Sequence, residues 1–311
     1  MSAASPHVAV LMATCNGAEF LPQQLDSLAA QTYENWRLWV SDDGSTDATL
    51  DLLRGCQEAW GEERLRIFQG PGRGFQANFL PLTARPEISA DYYAWSDQDD
   101  VWLPSKLARA LECLGPLGTG QPALYGGRTI YIDRQGREIG RSALMNRRPP
   151  TFANALVQCI CGANTMVFNP AARALIAAGA GLEVVTPDWW AYQLVSGCGG
   201  RVIYDPEPLV GYRQHGWNLV GRNRGLAARW SRVKKLFVGA LKRYVEINLK
   251  ALNRMASRLT PDSLRRLQIL AALHRSSNPL KRLRLFWAGG FHRQSRAEQL
   301  ALGLAAFAGL M

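Results

Sequence analysis

The sequence predicts an α/β fold in which a mainly parallel sheet carries helices on both faces and a basic helical region follows. Three observations predict it. Short apolar runs alternate with helix-periodic stretches through the first third of the chain. The polar clusters Thr14-Cys15-Asn16, Asp42-Asp43-Gly44-Ser45 and Asp97-Gln98-Asp99-Asp100 each follow such a run directly. Positive charge is concentrated beyond Arg222, where 19 Lys/Arg face 3 Asp/Glu, leaving 17 basic and 22 acidic residues before it.

The elements read in order as follows. His7 to Thr14 is a continuous apolar run, the pattern of a buried strand. Phe20, Leu21, Leu25, Leu28 and Ala29 recur at helical spacing. Trp36 to Ser41 is a second strand, and Leu50, Leu52 and Leu53 sit on a helix that Thr46 or Asp47 can cap. Leu65 to Phe68 is a third strand, closed by a glycine-rich turn from Gly70 to Gly74. A short helix from Phe75 to Leu82 leads to a fourth strand, Tyr92 to Trp95, which runs into the acidic cluster. A helix spans Ser105 to Leu114. Strands are expected at Ala123 to Ile132 and Val202 to Tyr204, and helices at Ala171 to Ala178 and Trp189 to Ser196. Beyond Arg222 the pattern is helical and basic. A boundary is expected near Gly216 to Gly225, which divides the chain into residues 1–221 and 222–311. Ligands of such sheets bind beyond the carboxyl ends of the strands, so the three polar clusters are expected to converge on one edge.

Composition narrows the function classes. At 311 residues with 47% hydrophobic and 20% charged side chains, the chain reads as globular, not disordered. The six cysteines lack CxxC pairs or metal-ligand spacing with histidine, which fits reduced thiols filling a core. No signal-peptide pattern stands at the N-terminus, and no stretch reaches the ~20 apolar residues that span a bilayer. A cytoplasmic protein is expected. The net charge of +11, gathered in the C-terminal part, points to an anionic partner, either membrane or nucleic acid; no nucleic-acid-binding motif is present, and the membrane is the favoured reading.

Asp97, Asp99 and Asp100 place three carboxylates within four residues, and these repel unless something positive sits among them. Mg2+ or Mn2+ prefers such oxygen ligands and also bridges phosphates. The plainer alternative is a solvated turn capping the next helix. The flanking Trp95 and Trp102 and the preceding apolar strand weigh against it. A carboxylate in Asp42-Asp43-Gly44-Ser45 can accept from a base imide or a ribose hydroxyl, although Asp, Gly and Ser also make ordinary turns. Asp188 reads as a helix N-cap. His215 is a histidine satisfied locally or a contact to metal or diphosphate. Of Trp189 and Trp190, one is expected in the core and the other is open to a cleft.

Together the segments Ala13-Thr14-Cys15-Asn16-Gly17, Ser41-Asp42-Asp43-Gly44-Ser45-Thr46-Asp47 and Trp95-Ser96-Asp97-Gln98-Asp99-Asp100-Val101-Trp102 resemble family 2 glycosyltransferases of the GT-A fold. The run from Ser96 through Pro104 with Lys106 after it, Pro187-Asp188-Trp189-Trp190, and Tyr212-Arg213-Gln214-His215-Gly216 are similar to bacterial rhamnosyltransferase-type members. The resemblance covers about residues 7 to 220 and implies roles. Thr14 and Asp42 would contact the base and ribose of a nucleotide-sugar donor, with Asn16 and Asp43 nearby. The Gly70 to Asn78 segment would close over the nucleotide, with Asn78 at its end. Asp97 would face the donor and, with Asp99 and His215, the metal. Asp100 would orient the sugar or hold the loop, and Asp188 would be the base of an inverting reaction. Cys15 and Pro187 depart from the family pattern, and Pro187 puts the shape of the base loop in doubt. The implied activity is transfer of a sugar, L-rhamnose or a hexose from a UDP donor, to a glycan or lipid-linked acceptor in surface polysaccharide synthesis. A non-catalytic nucleotide- or polyanion-binding protein is the rival from another class.

From Arg229 to Arg258, basic residues interleave with Leu236, Phe237, Leu241, Tyr244, Val245, Leu249 and Leu252 at helical spacing. Such a helix either packs on the catalytic domain with a solvated cationic face or attaches to an anionic bilayer. The apolar tail from Gln299 to Met311 is too short to span a bilayer; it reads as a packed terminal helix, the favoured reading, or as a contact to a membrane surface. The combined reading is a cytoplasmic enzyme, peripheral at the inner face of the cell membrane.

Overall fold

The structure is a computed structural model that describes residues 5–215 and 240–311. Its main sheet has seven strands in the spatial order β10-β6-β9-β4-β1-β2-β3. These are β1 Val8–Thr14, β2 Trp36–Asp42, β3 Leu65–Gln69, β4 Tyr92–Asp97, β6 Ala123–Gly127, β9 Val167–Phe168 and β10 Arg201–Asp205. All neighbours are parallel except the pairings of β9, which runs antiparallel to both β4 and β6. The first half is the alternation expected: β1, α1 Leu21–Ala29, β2, α2 Thr49–Trp60, β3, α3 Phe75–Ala84 and β4.

Every residue of β1 is buried, because helices cover both faces of the sheet. Its pleat sends Val8, Val10 and Met12 to one side, where they meet Leu21, Leu25 and Leu28 of α1 and Leu107 of α4 Lys106–Leu114. Ala9, Leu11 and Ala13 point to the other side. There they join a larger core built with α3, α5 Phe152–Ala155, α6 Pro170–Ala178 and α7 Pro187–Gly197.

A second sheet, β5-β11-β7-β8, lies beyond the acidic cluster. It contains β5 Val101–Trp102, β7 Ile130–Ile132, β8 Glu138–Arg141 and β11 Val210–Arg213. The single strand expected over Ala123 to Ile132 is therefore two strands in two sheets. Gly126 and Gly127 explain part of this. A Cβ at Gly126 would stand 2.6 Å from Cys161 Sγ, and one at Gly127 would stand 3.0 Å from the Asp205 carbonyl oxygen. The chain leaves the main sheet at these two closely packed glycines.

The C-terminal region is helical throughout its described part, with α8 Ala240–Arg254, α9 Pro261–Arg275, α10 Pro279–Gly289 and α11 Arg296–Ala308. Leu241, Val245, Leu249 and Leu252 of α8 are buried in the same core as α7 and α3. The apolar stripe of this basic helix thus faces the protein, and its exposed face carries Lys242, Arg243 and Lys250. The expected boundary at 216–225 and the beginning of the basic helix at Arg229 lie outside the described residues. The tail forms α11, with Ala301, Leu302, Ala305 and Ala306 buried and Leu300, Leu304 and Phe307 exposed. No described helix is long and apolar enough to cross a membrane.

A shared core predicts one cooperative unit. Leu252→Ala should lower unfolding stability by about 2–5 kcal/mol. Tryptophan fluorescence and far-UV circular dichroism should then report a single, coincident denaturant transition. A separate early transition of the C-terminal helices would contradict the shared core.

Candidate functional site

The parallel register brings the polar clusters together. Thr14 pairs with Asp42 across β1 and β2, and Ala13 pairs with Asp97 across β1 and β4. The three strands therefore end level, as the sequence expectation held. In front of them lies a cleft of about 620 Å³. Thr14, Asp43, Asp97 and Asp99 line it from the strand ends, Asn78 from α3, and Thr186, Asp188 and Trp189 from the start of α7.

The first two clusters are tied into one wall. Thr14 Oγ1 donates to Asp42 Oδ2 at 2.7 Å, while the backbone N–H and the hydroxyl of Ser45 donate to the same carboxylate at 2.8 and 2.6 Å. Asp42 is 3% exposed and stands behind the wall, not on it. Asn16 is exposed and does not line the cleft. It adopts φ +48°, and its Oδ1 accepts from the Thr46 N–H at 2.8 Å. Asp43 accepts from the N–H groups of Gly72 and Gly74 at 2.7 and 2.6 Å and so holds the glycine-rich turn. That turn leaves no room for a side chain at Gly70, where a Cβ would lie 2.8 Å from the Asp42 carbonyl oxygen. Asn78 donates to the Ser41 carbonyl at 2.8 Å, and its buried Oδ1 has no hydrogen-bond partner.

Gln98 joins the third cluster to the first. Its side-chain oxygen accepts from the Cys15 N–H at 2.8 Å, and its Nε2 donates to the Cys15 carbonyl at 2.9 Å. A side chain at Gly17 would push the Gln98 amide out of this bridge, since a Cβ there would lie 2.2 Å from Gln98 Oε1.

The three aspartates receive different environments. Asp100 is fully buried and accepts from Asn164 Nδ2 at 2.5 Å and from the Arg213 N–H at 3.1 Å. Burial first, and the neighbouring Asp99 second, push its carboxyl up to about 8. Asp99 lies 2.7 Å from Nε2 of His215, whose ring stacks on Phe20 at 5.1 Å. Asp97 faces the cleft. Burial, then the charges of Asp100, Asp99 and Asp188, raise its carboxyl well above the ordinary carboxylate value. Asp97 and Asp99 line the cleft and His215 pairs with Asp99, but the expected set of Asp97, Asp99 and His215 does not gather as one three-residue metal group among the described residues.

Arg213 organises this wall, and the sequence did not single it out. It is fully buried and donates to the carbonyl oxygens of Asp99, Asp133 and Arg134 at 2.8 to 3.0 Å and to Gln23 at 2.5 Å. A guanidinium offers five donors in a fixed fork, which suits it to hold four groups at once. Two residues later the chain delivers His215. Lys106 is also fully buried, with Nζ 3.2 Å over the Trp102 ring, and burial holds its ammonium well below the ordinary lysine value.

Asp188 occupies the second position of α7. The N-cap is Thr186, not Asp188, although Asp188 Oδ1 also accepts from the Trp189 N–H at 2.8 Å. Pro187 fits this geometry because the first helical turn needs no N–H there. Burial raises the Asp188 carboxyl. Trp189 lines the cleft and meets Tyr244 edge-on at 6.1 Å, whereas Trp190 is fully buried. Cys15, Cys159 and Cys161 line the cleft too, so half of the thiols expected to fill a core stand at the site.

The C-terminal helices complete the cleft. Leu241 and Tyr244 of α8 line it, as do Arg293 and Glu298, an ion pair at 3.5 Å. Gln158 donates to Glu298 at 3.4 Å, and Arg293 donates to the Val157 carbonyl at 2.9 Å. No sequence motif marks Arg293 or Glu298, because they reach the site only through packing.

A model of the family described as "Glycosyl transferase family 2" matches residues 9–175. A dTDP-rhamnosyl transferase, RfbG of Shigella flexneri, is 26% identical over 231 residues, which are 71% of this chain and 78% of the relative. Seven further curated relatives, glycosyltransferases of uncharacterised or putative function, match over 18% to 40% of their own lengths. Among solved structures, TarS 1-349 of S. aureus in complex with UDP-GlcNAc has a TM-score of 0.54 at 13% identity, covering 98% of this chain and 90% of that one. The mannosyltransferase PcManGT of Pyrobaculum calidifontis, in complex with GDP-Man and Mn2+, has a TM-score of 0.52 at 17% identity, covering 98% and 86%. The α/β fold is the GT-A arrangement expected from the sequence.

Asp100 predicts a pH signature. Its carboxyl titrates higher in the folded chain than in the unfolded one, so the folded state holds the extra proton between about pH 4 and 8. The stability this contributes is complete below the unfolded value and is lost as pH rises through about 8. Thermal unfolding in chelator should show Asp100→Asn flattening the fall in stability over that window. An unchanged slope would contradict the buried-acid assignment.

Proposed function

The chain belongs to glycosyl transferase family 2, and from that premise we propose that it transfers L-rhamnose, with inversion, from dTDP-L-rhamnose to a hydroxyl of a glycan or lipid-linked acceptor in surface polysaccharide synthesis. The observation that carries this reading is a single cleft lined both by Asp97 and Asp99, the latter paired with His215, and by Asp188 at the start of α7. A simple nucleotide binder has no need of a buried carboxylate beside an acidic wall. The donor sugar is suggested by the Shigella relative, whose name specifies dTDP-rhamnose. A UDP-hexose is the second donor class.

At the donor end, Thr14, Asp43 and Asn78 line the wall, Asp42 braces it from behind, and the exposed Asn16 ties the β1 end to Thr46. The unpartnered Asn78 Oδ1 suits an N–H of a pyrimidine base.

A divalent cation, Mg2+ or Mn2+, fits Asp99 and His215, which bring one carboxylate oxygen and one imidazole nitrogen within 2.7 Å of each other. Mn2+ is the metal named with the Pyrobaculum neighbour. Among the described residues no group of three or more metal-ligating side chains gathers. A cation held there would draw its further oxygen ligands from the donor diphosphate and water. When bound, the cation stabilises the charge that grows on the departing diphosphate.

Asp188 works on the acceptor side. The acceptor oxygen bonds to the anomeric carbon as the sugar–phosphate bond breaks, and the hydroxyl proton passes to Asp188. Burial makes this carboxylate a better base than an exposed one. The bond from the Trp189 N–H holds it in place. This reading sets the reaction at an anionic membrane, on the cytoplasmic inner face, and the positive charge beyond Arg222 supports it.

Donor hydrolysis and transfer, measured with dTDP-L-rhamnose and UDP-hexoses, should require a divalent ion and vanish in Asp99→Asn. Full activity in excess chelator would sink the metal assignment. Asp188→Asn should keep donor binding and lose about 10²–10⁴ in turnover. The wild-type rate should rise with pH along a limb lying above the ordinary carboxylate value of 3.8, and the variant should lack that limb. Unchanged turnover would remove Asp188 from the base role.

A further inference from the structure

Seven large hydrophobic side chains are exposed among the described residues, and five of them lie on two adjacent helices. Leu280 and Trp287 of α10 are 65% and 68% exposed, and Leu300, Leu304 and Phe307 of α11 are 73%, 61% and 45% exposed. The spacings i, i+7 on one helix and i, i+4, i+7 on the other place each set on a single face. The two helices run antiparallel. Arg282 near the start of α10 donates to the Phe307 carbonyl at the end of α11, and the Phe286 ring lies 3.8 Å from a Cβ built at Gly303. The two apolar stripes therefore stand side by side.

Both inner faces are already used. Phe286 and Gly289 of α10 and Ala301, Leu302, Ala305 and Ala306 of α11 are buried against the core. A helix that is apolar on its inner and outer sides needs a second apolar phase. Lys281, Arg284 and Arg296 are exposed on the same helices. After Asp262 the chain carries one acidic residue, Glu298, and it is buried.

We propose that the outer face of α10 and α11 docks on an anionic lipid surface, with Trp287, Leu300, Leu304 and Phe307 entering the headgroup boundary and Lys281, Arg284 and Arg296 meeting lipid phosphates. Apolar insertion combined with cationic flanks is the physics of a helix lying in a bilayer interface. A second copy of this chain would bring the same cationic rim to the contact, which charge repulsion opposes. Helix α8 is not the inserting element, because its apolar stripe is spent on the core.

The docking face also adjoins the cleft. The link between the two helices supplies Arg293, and the inner side of α11 supplies Glu298. Docking would bring this end of the cleft to the lipid, where a lipid-linked acceptor emerges. That last step rests on the transferase reading; the docking face does not.

Flotation of the full chain with vesicles of equal phosphatidylglycerol and phosphatidylcholine tests the proposal. The wild-type chain should float with them and not with pure phosphatidylcholine. The double variant Leu300→Ser, Leu304→Ser should weaken vesicle binding by at least about tenfold. Charge reversal by Lys281→Glu, Arg284→Glu and Arg296→Glu should do the same. These positions are exposed, so circular dichroism and donor hydrolysis in solution should match wild type. Wild-type failure to float, or unchanged binding by both variants, overturns the docking face. Self-association in sedimentation that the serine variants abolish overturns it in favour of a second copy. Absent donor hydrolysis with normal flotation would overturn the transferase reading alone.

Discussion

Three carboxylates within four residues cannot share a loop unless each has a different electrostatic environment, and the rest of the site follows from how the fold provides them. Asp100 is withdrawn into the core, where Asn164 and the Arg213 backbone N–H bind it. Asp99 is turned to His215. Asp97 is left toward the cleft, with its carboxyl raised by burial and by its neighbours. The separation depends on one side chain, Arg213. Its guanidinium grips the Asp99 carbonyl, the turn after β7 and Gln23 of α1, and the chain then carries His215 to its place.

Behind this loop the parallel sheet does the coarse positioning. Thr14, Asp42 and Asp97 end level because their strands pair in register, and Gln98 bonds the loop back to Cys15 at two points. The opposite side of the cleft comes from α7 and from helices that close the chain. The basic region is therefore part of the site's architecture: α8 supplies Leu241 and Tyr244, and the hairpin of α10 and α11 supplies Arg293 and Glu298.

Much of this was legible in the sequence because it is local. Apolar runs and the clusters that follow them report strand ends directly, so the convergence of Thr14, Asp42 and Asp97 could be read without coordinates. The division of labour among the aspartates could not, since Asn164 and Arg213 lie 64 and 113 residues from Asp100. Asp42 carries a turn motif and a binding motif in the same residues, and only the bonds to Thr14 and Ser45 place it behind the wall. The run from Ala123 to Ile132 looks like one strand because a change of sheet leaves no mark in hydrophobicity. Trp189 and Trp190 are neighbours of one type that helix geometry sends to different surroundings. The inner and outer stripes of α11 merge into a continuous apolar tail in the sequence, which leaves a packed helix and a membrane contact both open; only the fold separates the two faces.

The central claim is that the Asp99–His215 pair receives the metal that accompanies the donor diphosphate. Anomalous diffraction at the manganese edge, from crystals grown with dTDP and Mn2+, addresses it directly. The account predicts one strong peak bonded to both the Asp99 carboxylate and His215 Nε2, with the nucleotide's diphosphate on its open side. A peak held elsewhere, or a bound nucleotide with no metal at this pair, would contradict it.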